Sequence, residues 1–254
     1  MKEILFKDLG ENQDYQKIWD FQEDLLAQNI AIKMRNRERE KKGESGLEIT
    51  ANHLLFVEHP HVYTLGKSGH IENMLASQDF LSQIQATFVK TNRGGDITYH
   101  GPGQLVGYPI LDLDNFKPDI HLYMRNLEEV IIRVIADYGL IGERSKGETG
   151  VWLDVGKPFA RKVCAMGVKA SRWVTMHGFA LNINTDLKYF EYIIPCGIKD
   201  KAVTSLGREL GFEIPMREVK EKVKKYFAEV FETKIKDDEF EERKLHTDQQ
   251  EFME

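Results

Sequence analysis

The chain has 254 residues, 41% of them hydrophobic and only 7 of them proline, enough for one sizeable α/β core, and no linker or internal repeat divides it. No apolar stretch approaches the roughly 20 residues of a membrane span, so a soluble protein is expected. The opening MKEILFKDLG lacks the basic start, long apolar centre and small-residue cleavage site of a signal peptide. A reducing, cytoplasmic compartment is therefore read, with no disulfide between Cys164 and Cys196.

Along the chain, Glu3 to Phe6 reads as a strand. Tyr15, Ile18, Trp19, Gln22, Leu25, Leu26 and Ile30 then form a helical stripe. Lys33 to Ser45 is charged and is expected to carry the helix end into a mobile loop; acids interrupt its bases, which argues against nucleic acid. Alternating apolar residues in LLFVEH, ATFVKT, LVGYPILDL, VWLDVG, KVCAMGVKA and GFALNIN predict strands of a mixed, mostly antiparallel sheet. Two helices are predicted: Leu122 to Tyr138, and Met216 to Phe231, which Pro215 starts well. The expected organisation is a single catalytic domain over 1–235 and a charged tail over 236–254.

Two segments carry the chemistry. The first, RGGDITYHGPGQ from Arg93, interleaves glycine and proline with polar side chains, as expected where backbone must come close to a ligand; a hairpin turn joining two strands is the alternative. The second runs from Lys157 to Ile198 and holds both cysteines. Cys164, inside an alternating apolar run, reads as a small buried thiol. Cys196 lies in a Pro-Cys-Gly turn, where either a nucleophile or an inert buried thiol fits. Lys162 on its own would be an ordinary solvated lysine. His100 and His177 fit either a structural role or substrate contact.

RGGDITYHGPGQLVGYPILDL from Arg93, KVCAMG from Lys162, HGFALN from His177 and PCG from Pro195, with HPHVYTLGK from His59, together resemble the octanoyltransferase family. His61 and Met166 depart slightly from the family pattern, at positions not expected to carry chemistry. The resemblance implies the catalytic fold shared with biotin and lipoate ligases. It also implies transfer of an octanoyl (or lipoyl) group from acyl carrier protein to a lysine of lipoyl domains, those of 2-oxoacid dehydrogenase acyltransferase subunits and of glycine cleavage H protein. In it Cys196 would be the acyl-thioester nucleophile, and Lys162 the residue that lowers the thiol pKa and moves protons. Substrate contacts would come from Arg93, Gly94, Gly95, Asp96, Ile97, Thr98, Tyr99 and His100, from Ala165, Met166 and Gly167, and from Gly178, Phe179 and Ala180, with His177 in support. A monomer with no cofactor and no metal is expected.

The chemistry is self-consistent. A thiol with pKa about 8.5 is only a few per cent ionised at neutral pH and needs a positive neighbour. An ammonium beside it lowers that pKa by about one to three units, while its own proton becomes easier to move. An octanoyl chain gains about 0.8 kcal/mol per buried methylene, which calls for a narrow apolar pocket. Acidic carriers approaching a chain of net charge −6 would need a local basic rim, for which Arg144, Lys146, Lys157, Arg161, Lys169 and Arg172 are candidates. An ATP-dependent ligase would not need Cys196, a pure binding module would leave it unacylated, and a metal site on His59 and His61, expected on one strand face, lacks further ligands.

Overall fold

The computed structural model describes residues 2–194 and 202–238. In chain order it contains β1 (Lys2–Asp8), α1 (Tyr15–Lys41), β2 (His53–Val57), β3 (Val62–Leu65), α2 (Gln78–Gln83), β4 (Thr87–Lys90), β5 (Ile97–His100) and β6 (Gln104–Ile110). There follow α3 (Ile120–Ala136), β7 (Val151–Leu153), β8 (Arg161–Ser171), β9 (Val174–Asn182), β10 (Ala202–Val203), α4 (Leu206–Leu210), α5 (Met216–Val230) and β11 (Thr233–Asp237).

The large sheet has the order β10-β8-β9-β6-β2-β1-β11, with β7 on β8. Its centre, β8-β9-β6-β2, is antiparallel, while β1, β11 and β10 join parallel at the edges. The mixed, mostly antiparallel sheet expected from the alternation is thus present. A smaller sheet, β4-β3-β5, carries the glycine-rich segment. Alternation sorts the two faces: Leu54, Phe56, Leu105, Phe179 and Leu181 pack with α3 and α5, whereas Leu55, Val57, Val106, Tyr108 and Ala180 pack with Ile18, Leu25 and Leu26 of α1. β8 and β9 are joined by Arg172 and Trp173, both at positive φ (51° and 66°), the two-residue turn whose twist suits a hairpin.

Two expectations are corrected. The charged segment after Ile30 is helical as far as Lys41. The chain beyond the helix is stitched back onto it: Arg35 pairs with Glu48 at 2.6 Å, Asn36 exchanges hydrogen bonds with the Glu48 backbone, and Arg39 donates to Gly46 O. Arginine, glutamate and lysine are also good helix formers, so propensity and contacts agree. At the other end, β11 runs through Asp237 beside β1, past the boundary expected at 235. Residues 239–254, most of the expected tail, lie outside the described residues. Among the described residues no helix is long and apolar enough to cross a membrane.

Candidate active site

The strands β8 and β9 form one wall of a narrow cavity of about 100 Å³, and the segment from Arg93 to His100 forms the facing wall. The walls meet because glycine lets backbone approach backbone: a Cβ on Gly167 would lie 2.7 Å from Gly94 O. Within the large sheet, a Cβ on Gly178 would lie 2.1 Å from Gly107 O of β6. Lys162, Ala165, Met166, Gly167, His177, Gly178, Phe179 and Ala180 line the first wall; Arg93, Gly95, Asp96, Ile97, Thr98 and His100 line the second. Two of the expected residues do not line this cavity. Tyr99 points away, as the two-residue period of β5 requires, and packs on Tyr63, Tyr189 and Phe190. Gly94 tethers the segment through its N–H to Val168 O.

The remaining polar side chains are fixed by hydrogen bonds. Arg93, 7% exposed, donates to Thr64 O at 2.6 Å, to Thr64 Oγ1 at 2.9 Å and to Gly94 O at 3.0 Å. His100 Nδ1 is hydrogen-bonded to Gln104 Oε1, and Gln104 Nε2 donates to Asn182 Oδ1. Asn182 in turn donates to Thr204 O, just past β10. Lys162 holds its ammonium over the Trp152 ring, 4.6 Å from the centroid, a cation–π contact. Cys164 is fully buried, and burial pushes its thiol far above the ordinary range, in keeping with the inert reading. Cys196 lies outside the described residues, as does its Pro-Cys-Gly turn. The described chain leaves that segment at Ile194, whose N–H donates to Asn73 O, and returns at β10, where Val203 pairs with Lys162 and lines the cavity.

His59 and His61 do not share a strand face; they sit in the connection between β2 and β3. His59 is hydrogen-bonded to Gln13 O and Tyr108 OH, and His61 to Tyr99 OH. Among the described residues no group of three or more potential ligands converges.

A family model described as the lipoyl protein ligase A/B catalytic domain matches residues 14–228. An octanoyltransferase of Christiangramia forsetii is 62% identical over 237 residues, covering 92% of this chain and 98% of the relative. One from Flavobacterium psychrophilum is 60% identical over 235 residues, covering 92% and 99%. The chain belongs to the octanoyltransferase family. Its activity is therefore acyl transfer, the movement of octanoyl groups in protein lipoylation. The fold agrees: a bipartite lipoate protein ligase from Thermoplasma acidophilum superposes with a TM-score of 0.63 at 15% identity, covering 93% of this chain and 86% of that one. A lipoate-protein ligase A bound with ATP gives 0.63 at 14%, covering 93% and 88%.

For this octanoyltransferase fold the structure adds cavity residues outside the motifs, Tyr15, Thr149, Phe190 and Val203, and two within them that were not expected at the substrate, Tyr108 and Asn182. Thr149 is aimed by a buried carboxylate. Glu128, wholly inaccessible, accepts from Gly150 N and is paired with Arg125 (2.9 Å) and Arg144 (3.2 Å), while Thr149 Oγ1 donates to Met166 O. Glutamate on α3 at a fully buried position was the available signal, since such a group is kept only with partners. The expected basic rim is corrected by the same contacts. Arg144 is held by Glu128 and Glu129, Lys157 by Asp154, Arg161 by Asp154 and Glu209, and Lys169 by Glu23. Four of the six candidate bases are thus neutralised by neighbouring carboxylates and present no uncompensated positive surface.

Burial keeps His59 and the two cavity histidines, His100 and His177, neutral. Desolvation, with Gln13 O and Asp14 opposing it, pushes His59 down to about 4; desolvation joined by His59 and Arg93 pushes His100 down to about 3; desolvation joined by Arg93 and Lys169 pushes His177 down to about 3. Each folded pKa lies below the unfolded value of 6.5, so the unfolded chain binds more protons between those limits. The stability this confers is complete above pH 6.5 and is lost as pH falls toward 3–4, by up to about 1.4 kcal/mol per pH unit for each such group. Thermal melts are expected to show Tm falling steeply from pH 6.5 to pH 5; a Tm independent of pH there would contradict the neutral, buried assignment.

Proposed function

We propose that this octanoyltransferase takes the octanoyl group from acyl carrier protein onto Cys196 as a thioester and delivers it to a lysine of a lipoyl domain, with Lys162 moving the protons. The observation carrying this reading is the junction of Val203 with Lys162 at the cavity: six and seven residues after Cys196, the chain pairs with the strand that bears the lysine. The chain has two cysteines, and the burial of Cys164 removes it from consideration as the nucleophile.

The cavity suits an acyl chain, for its lining includes Ala165, Met166, Phe179, Ala180 and Ile97. Beside it lies a larger open groove of about 1260 Å³ that shares Phe190 and Val203 with it, and such a groove gives a carrier's pantetheine arm an approach to the Lys162 end. In the first half-reaction the Cys196 thiolate attacks the octanoyl thioester carbonyl, the carrier's C–S bond breaks, and the departing thiolate takes a proton from Lys162. In the second, a lipoyl-domain lysine amine attacks the enzyme thioester, losing a proton to Lys162, and the Cys196 thiolate leaves as the amide forms. Thioester exchange is close to thermoneutral and amide formation runs downhill, so neither half requires ATP. Monomeric action in the cytoplasm without cofactor completes the reading.

Intact-mass spectrometry after mixing with octanoyl carrier protein, without ATP, tests it. One octanoyl adduct, released by hydroxylamine and absent from Cys196→Ser, is the expected result. An adduct that persists in Cys196→Ser, or transfer that requires ATP, would overturn the proposal.

A further inference from the structure

Lys162 reaches the cavity through an irregularity in its strand. In a regular strand residues two apart share a face, so Lys162 would lie on the face of Cys164 and Met166, both of which pack in the core against α3 and α5. The pairing of β7 with β8 departs from that rule. Val151 lies opposite Cys164, yet its neighbour Trp152 lies opposite Lys162, so β8 carries one extra residue, Val163, at this point. Val163 accordingly joins Cys164 in the core, and Lys162 falls on the face of Ala165 and Gly167, which line the cavity. Bulges of this kind re-aim a side chain, and here the side chain is the lysine.

The same register brings Trp152 to Lys162. Residues opposite each other in an antiparallel pair point to one face, and the Trp152 ring lies under the ammonium, 4.6 Å from centroid to Nζ. Its neighbours Val151 and Leu153 enter the core, while Trp152, 3% exposed, neither joins that core nor lines the cavity. Its backbone is held by Glu143, with which it exchanges hydrogen bonds of 3.0 and 2.8 Å. The chain is pinned just before β7 as well. Gly150 gives its N–H to the buried Glu128 carboxylate at 3.1 Å, and a Cβ there would lie 2.3 Å from Cys164 O, so glycine is needed for the chain to enter β7 opposite Cys164. On the other side of β8, Thr204 N donates to Lys162 O at 2.9 Å. The lysine backbone is thus fixed from both sides, and its ammonium rests on an aromatic face that the fold holds in place.

Resting on the reading in which Lys162 moves the protons, we infer that Trp152 is a positioning residue for that reaction: the bulge at Val163 turns Lys162 toward the cavity, and the Trp152 ring holds its ammonium there in the protonated form. The negative face of an indole attracts a cation and offers a neutral amine nothing comparable. Trp152 therefore keeps Lys162 charged until it donates, without touching the acyl group.

The test follows single-turnover octanoyl uptake from the carrier between about pH 6 and 10, at temperatures where each protein is folded. It uses wild type, Trp152→Phe, Trp152→Leu and protein carrying a polyfluorinated tryptophan at position 152, which keeps the indole shape and weakens its hold on a cation. Loss of the ring face destabilises the charged lysine, so the alkaline limb, where Lys162 gives up its proton, is expected to move to lower pH. The expected shift is about 0.4–1.5 pH units in Trp152→Leu and less in Trp152→Phe and the fluorinated protein. The maximal rate should fall about three- to tenfold in Trp152→Leu, with the half-saturating carrier concentration within about twofold. In a Lys162→Ala background Trp152→Leu should cost little more, since the two side chains act as one unit. The fluorinated protein keeps the test decisive if Trp152→Leu does not fold. An alkaline limb unmoved in the fluorinated protein, or the same fractional loss from Trp152→Leu with and without Lys162, would overturn the inference. An alkaline limb that survives in Lys162→Ala would instead overturn the assignment of proton transfer to Lys162 beneath it.

Discussion

Replacement of Lys162 by alanine is expected to slow octanoyl uptake at pH 7 by roughly a thousandfold and to shift its pH dependence toward alkali. In the proposed mechanism two effects combine. Without the ammonium the Cys196 thiol returns toward its free value of about 8.5, so the ionised fraction at neutral pH falls to a few per cent, a loss of about tenfold or more. Part of this is offset because a more basic thiolate is intrinsically more nucleophilic. Loss of the group that protonates the departing carrier thiol removes a further factor of about 10²–10⁴. Raising the pH to about 9.5 restores the first factor and not the second, so the variant should recover partially in acylation and little in transfer to the lipoyl lysine. The quantities to measure are the single-turnover adduct rate and the transfer rate across pH 6–10. Uptake by Lys162→Ala within about threefold of wild type at pH 7 would show that the thiol is activated by something else. The contact of Lys162 with the Trp152 ring makes arginine a poor substitute, since its longer planar head changes both the stacking and the reach.

Much of this arrangement was legible in the sequence because period and face are the same statement. LLFVEH, KVCAMGVKA and GFALNIN alternate, and the strands they form divide their side chains between the α1 face and the α3/α5 face. The same period sorts the residues of β5: neighbouring side chains point to opposite faces, so Tyr99 turns from the cavity while Thr98 and His100 line it. β11 was missed because Thr233–Asp237 is short and charged, as edge strands often are, and only its pairing with β1 makes it a strand. Charges misled for a related reason. A sequence gives the positions of Arg144, Arg161 and Lys169 without the carboxylates that fold against them, here Glu128, Glu209 and Glu23. One further signal was present. Gln22 sits on the apolar stripe of α1 between Ile18 and Leu25, and a polar residue at a core position must find a partner, which proved to be the backbone of His177.

Gly178→Ala is expected to lower Tm by roughly 5–10 °C and to cut octanoyl transfer by at least about tenfold at temperatures where the variant is folded. The added methyl would lie 2.1 Å from Gly107 O and 2.7 Å from Pro109 Cδ, and neither is the end of a flexible side chain that can swing aside. Both belong to β6, whose pairing with β9 ties Gly107 to Phe179, so relief requires the two central strands to part. Overpacking of that kind costs about 1–3 kcal/mol, and in a chain of this size each kcal/mol moves Tm by about 2–4 °C. The effect on transfer follows from position: Gly178 lines the cavity between Phe179 and His177, so parting β6 from β9 displaces the surface against which the acyl chain would lie. Gly10→Ala serves as the comparison. Gly10 has φ +79°, and a methyl added there would meet nothing within 4 Å, so the variant should show only the conformational penalty of about 1 kcal/mol and leave transfer unchanged. The backbone of Gly178 is not left-handed, so equal Tm losses in the two variants would mean that β6 and β9 absorb the added methyl by a small shift. A Gly178→Ala protein that melts and transfers like wild type would remove the role assigned to that approach altogether.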